Sequence, residues 1–246
     1  MSKHLALRSG NPALQSSTFR NHLAATSDGK MTLSGTVNKT AFALVLVIIS
    51  AGYSWGNPAM HGLAMPASII GLILALVTIF KPTIGHITVP AYAVVQGVFL
   101  GVISMIFNKQ YPGIVVQAVF LTFGTLGALL LAYMSGLIKA TENFKLGIVA
   151  ATGGIFFLYL INFIMGFFTS GIGIISGNNT MGILFSGFVV VIAALNLVLD
   201  FDFIEEGAEM GAPKYMEWYG AFGLLVTLIW LYLEILRLLS KLSSRR

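Results

Sequence analysis

A chain of 246 residues that is 57% hydrophobic and only 9% charged cannot cover itself as a water-facing globule, since soluble domains carry about 25% charged residues. It has no cysteine, which excludes disulfides, zinc–thiolate sites and thiol nucleophiles, and its net charge of +5 is too dilute for a nucleic-acid surface. What remains is a series of long apolar runs, each near the ~20 residues that carry a helix across a bilayer core and well beyond the ~10-residue alternating strands of a membrane barrel.

The fold class read from these runs is all-α: a polytopic membrane protein of seven transmembrane helices embedded in the lipid bilayer. Residues 1–38 are polar, with scattered Lys3, Arg8, Arg20 and Lys30. They read as a solvated tail, because a secretory signal needs a short apolar stretch after its basic start. The transmembrane domain then occupies 39–246. Span one runs from about Ala41 to Trp55, with Tyr53 and Trp55 at an interface belt. Span two covers about Leu63 to Phe80, with Pro66 in its first turn, where a missing N–H costs little. Span three runs from about Pro90 to Phe107. Span four runs from Pro112, a favoured first-turn residue, to about Tyr133, and span five covers about Leu146 to Phe168. A glycine-rich uncharged loop, Ser170 to Asn179, precedes span six, which starts at Thr180 and reaches at least Leu199. An acidic stretch, Asp200 to Glu217, leads to span seven, about Trp218 to Leu239, and a basic tail.

Cations on alternate sides of the spans set the orientation. One side holds Lys3, Arg8, Arg20, Lys30, Lys39, Lys81, Lys139, Lys145 and Lys214; the other holds Lys109, Arg237, Lys241, Arg245 and Arg246. The first set is larger, so the amino terminus is predicted to be cytoplasmic. A seventh full span then places the basic carboxyl tail outside, which leaves two readings: the tail is an exception, or the last span re-enters. Small residues recur within spans, at Gly97 and Gly101, Gly124 and Gly127, Gly153 and Gly154. They permit close helix approach where lipid supplies no hydrophobic drive, within the chain or between copies.

Ionisable groups inside spans point to function, because placing them there costs several kcal/mol. Glu234 interrupts LIWLYLEILRLL, with Arg237 three residues on; an intrahelical pair is one reading, a functional carboxylate the other. Asp200 ends AALNLVLD, and Asn196 lies one turn earlier on its helix face. Either Asp200 opens a solvated acidic loop with Asp202, Glu205, Glu206 and Glu209, or span six continues to about Ala208 and buries it. Asn162 in span five is a further polar candidate for the interior. His4, His22, His61 and His86 are scattered, no enzyme motif is present, and the chain does not read as an enzyme.

The segments PAYAVVQGVFLG, LVLDFDFIEEG and WYGAFGLLVTLIWLYLEILRLL, with LRSGNPALQSSTF in the tail, resemble the Bax inhibitor-1-like family, in particular its bacterial branch. The resemblance implies a seven-helix bundle with the last helix central, in the inner (cytoplasmic) membrane, and a pH-sensitive calcium leak. It places the gating carboxylates of the sixth and seventh helices on Asp200 and Glu234, sharing one proton and attracting calcium as the transported or bound ion. Asn196 is the supporting polar residue, while Asp202 and Glu205 concentrate cations at the mouth. No other cofactor is implied. A basic residue that some relatives carry in the second helix is missing before Lys81. The resemblance also allows a non-transporting regulator whose tail binds another membrane protein, such as a quality-control protease.

Overall fold

The computed structural model describes residues 29–168 and 172–245. Most of the polar tail, with His4 and His22, lies outside the described residues, as do Ser170 at the start of the glycine-rich loop and Arg246. Seven helices are long and apolar enough to cross a membrane: α1 Leu33–Gly56, α2 Ala64–Phe80, α3 Gly85–Gln110, α4 Ile114–Met134, α5 Glu142–Met165, α6 Thr180–Glu209 and α7 Met216–Ser243. Short 3₁₀ turns at Pro58–Leu63 and Pro82–Ile84 lead into α2 and α3, and one helical turn, Gly173–Ser176, lies between α5 and α6. The all-α, seven-helix class expected from the apolar runs is the one observed. No strand forms among the described residues; a lone antiparallel bridge joins Lys30 and Pro213.

The helix ends differ from the apolar runs for local reasons. α1 starts eight residues before Ala41 because Thr32 caps it, its hydroxyl accepting the Gly35 N–H at 3.0 Å. Such a cap satisfies one of the orphan donors of the first turn, and Thr36 and Thr40 behind it are buried. α3 begins before Pro90, which sits inside the helix. Pro112 stands outside α4: Gly113 at φ 85° makes the turn that precedes it. α6 runs on to Glu209 and stops where Gly211 takes φ 67°, a conformation cheap only for glycine. Asp200 is therefore a helical residue, and its reading as the start of a solvated loop is overturned. α7 is unbroken over 28 residues, long and apolar enough for a full span.

The described residues form two compact units: one contains 113–168, 172–201 and 227–245, the other 29–112 and 202–226. In the second unit α1 and α2 pack on α3. Gly97 and Gly101 of α3 lie against Val47, Ser50, Ala51 and Ser54 of α1, and the Ser54 hydroxyl donates to the Val98 carbonyl at 3.1 Å. The GxxxG pair thus serves packing within the chain. Tyr92 meets Phe222 edge-on, with ring centres 5.2 Å apart. In the first unit Ile148 and Ile155 of α5 pack with Val189, Ile192 and Leu199 of α6, and Trp230 of α7 lies against this cluster. α7 is the most enclosed helix: 61% of its apolar stretch is buried, against 50% for α3 and α6 and 11–22% for the others. By contrast α2, α4 and α5 present Phe, Leu and Ile outward, as lipid-facing helices do.

Candidate functional site

Because α6 continues for nine residues past Asp200, this carboxyl is carried into the packed interior, where it is fully buried. Asn196, one turn earlier on the same face, is buried with it. The Asn196 amide donates through Nδ2 to Thr152 Oγ1 of α5 and to the Ile192 carbonyl, both at 2.8 Å. The other polar atoms of the pair, Asn196 Oδ1 and both oxygens of Asp200, have no hydrogen-bond partner among the described residues. Thr227 of α7 lies beside the Asp200 carboxyl, without reaching normal hydrogen-bond geometry to either oxygen. Three acceptor oxygens with no donor share one buried helix face. Unsatisfied buried acceptors are rare and costly, about 1–3 kcal/mol each.

Glu234 is buried as well, but its oxygens are well supplied. Tyr159 of α5 reaches both, at 3.0 Å each, through its hydroxyl. Arg237 Nη1 donates to the same two oxygens at 3.0 and 3.1 Å and to the Tyr159 hydroxyl at 2.8 Å. The guanidinium also lies over the Tyr159 ring, 5.1 Å from its centre, a cation–π placement. The intrahelical Glu234–Arg237 pair read from spacing is present, and a second helix completes it.

The contact expected between the two carboxyls is not made. Neither Asp200 oxygen has a hydrogen-bond partner, so the pair shares no proton in this structure. Helix lengths give the reason. At ~1.5 Å per residue, Asp200 lies about 13 Å before the end of α6 and Glu234 about 27 Å past the start of α7. Thr227, about 16 Å along α7, is the residue level with Asp200.

Of the remaining predicted residues, Asp202 is half-buried and Glu205 exposed on the last turns of α6. Asn162 does not enter the interior network; its Oδ1 accepts the Ile172 N–H at 2.8 Å and holds the loop after α5. Among the described residues no group of three His, Asp or Glu side chains is placed to hold a metal ion. Tyr159, Thr152 and Thr227 carry no sequence signal, since each is an ordinary residue in an apolar span. Lys241 is another unforeseen participant: its ammonium, buried at 4% exposure, donates to the carbonyls of Ile175 and Gly182 at 2.8 and 3.1 Å. Arg245 adds bonds to the Asn178 carbonyl and Thr180 Oγ1, both at 3.0 Å.

A protein-family model described as Bax inhibitor 1 like matches residues 11–244, nearly the whole chain. No curated protein and no solved structure gives a match.

Proposed function

We propose, since the chain belongs to the Bax inhibitor 1 like family, that it is a pH-sensitive leak for calcium ions whose gating group is Asp200. The observation that carries this reading is the donor-free face formed by Asn196 Oδ1 and the two Asp200 oxygens. An ionised carboxylate buried without a partner costs several kcal/mol. Whether Asp200 is charged therefore decides whether its surroundings stay closed or must admit water or a cation. Oxygen atoms are the ligands calcium takes, six to eight of them, so three protein oxygens suit an ion in passage that keeps part of its water shell. Asp202 and Glu205 raise the local cation concentration at the end of α6.

Glu234 takes a different part from the gating role that the resemblance implied. Matched by Arg237 and Tyr159, it braces α7 against α5 and influences gating through that brace. The work is transport and not catalysis, and the site lies in the cytoplasmic membrane with the amino end inside, in keeping with the excess of cations on that side.

The test is calcium flux in proteoliposomes measured across pH 5 to 8. Asp200→Asn is expected to flatten the pH profile, with Glu234→Gln shifting it less. A wild-type pH profile retained by Asp200→Asn would falsify the assignment.

A further inference from the structure

The contacts that hold the start of α1 go well beyond helix capping. Lys30 forms an antiparallel bridge with Pro213, in the turn between α6 and α7. Beside it the Met31 N–H donates to the Ala212 carbonyl at 2.7 Å, and the Lys214 N–H donates to the Gly29 carbonyl at 3.1 Å. Thr32 then donates to Glu217 Oε1 twice, from its backbone N–H at 3.0 Å and from its hydroxyl at 2.9 Å. Lys39, two turns into α1 from there, forms an ion pair with the other Glu217 oxygen, and its ammonium lies 5.5 Å from the centre of the Trp218 ring. Glu217, in the first turn of α7, is 1% exposed. Gly35 leaves room for this carboxylate: a Cβ there would overlap it unless the Glu217 side chain moved.

A buried carboxylate in an apolar segment is stable only when its lone pairs are met. Here the donors come from Thr32 and Lys39, while the backbone of 29–31 pairs with 212–214. A turn this short closes without help from elsewhere, so the bridge and the ion pair constrain it further. Both helices that leave this turn bear on the proposed gate: α6 carries Asp200, and α7 carries Thr227 and Glu234.

We infer that residues 29–39 are a strap that fixes the α6–α7 turn, and that releasing the strap loosens the turn and raises the ion leak. The effect on leak rests on the calcium-leak reading above; the locking of the turn does not.

The 246-residue chain offers a direct test because it contains no cysteine. Lys30→Cys with Pro213→Cys places two cysteines at facing positions of an antiparallel bridge, where Cα atoms lie about 4.5 Å apart, within the range a disulfide spans. Hydrogen exchange of residues 208–217 and calcium flux are then read on the same proteoliposomes. Glu217→Gln and Lys39→Met are each expected to raise exchange at 208–217 at least tenfold, leaving α3 unchanged, and to raise flux at least threefold. The oxidised cysteine pair is expected to cut flux at least threefold relative to its reduced form. Unchanged exchange at 208–217 in both single variants, or equal flux from the oxidised and reduced pair, overturns the strap. If the wild-type protein carries no calcium, the leak reading falls, and exchange alone then upholds or overturns the locking of the turn.

Discussion

Glu234 is held by two donors of unequal kind: Arg237 reaches it from the next turn of the same helix and is 40% exposed, while Tyr159 arrives from α5. Removing Arg237 leaves a buried carboxylate supported by one hydroxyl; removing the charge of Glu234 leaves a cation that can turn toward the interface. Arg237→Met is therefore expected to destabilise the protein by about 1–3 kcal/mol, the cost of depriving a buried acceptor of its donor. Glu234→Gln should cost less, and the double variant less than the sum. Thermal unfolding in one detergent, read as a double-mutant cycle, checks this; additive losses would show that the pair is not coupled. The three-residue spacing made Arg237 legible in the sequence. Tyr159 was not, because a contact 75 residues away leaves no trace in the local pattern LYLINF. Asp200 was legible only as one of two alternatives. Nothing within the segment decides whether DFIEEGAE is helix or loop; what decides it is burial of Phe201, Phe203 and Ile204, which tertiary packing supplies.

Helices of this chain fall into two kinds, and their small residues divide with them. α1 meets α3 through Gly97 and Gly101, where an added methyl at Gly101 would strike the Ala51 carbonyl and the Ser54 hydroxyl. Backbone cannot swing aside as a flexible side chain can, so the helices would have to part. Gly124 and Gly127 of α4 have nothing within 4 Å of such a methyl. Gly101→Ala is accordingly expected to cost about 1–3 kcal/mol, the usual range for overpacking, and Gly124→Ala to cost nothing. The melting temperatures of the two variants in one detergent decide it, and equal melting would remove GxxxG packing as an account of the α1–α3 contact. Apolar runs located every spanning helix but misplaced several ends. The ends depend on single groups, such as the Thr32 cap and the left-handed Gly211, which change backbone direction without changing hydropathy.

Across the whole chain, the charge count left one conflict, a basic carboxyl tail on the less positive side. The structure shows how most of these cations are held. Arg237 is matched by Glu234, Lys241 is buried on two carbonyls, and Arg245 is bonded to Asn178 and Thr180. Lys241 and Arg245 thereby anchor the 172–182 segment to the end of α7. The cation count over the whole sequence predicts an inside amino end, and with it seven crossings would put the carboxyl end on the other face. Single cysteines at Lys81 and Ser244 report this directly in the otherwise cysteine-free chain. A membrane-impermeant maleimide added outside intact cells is expected to label Ser244→Cys and to spare Lys81→Cys until the membrane is opened. Labelling of both positions from the same side would break the count of seven crossings, since an odd number of spans separates the α2–α3 turn from the carboxyl end.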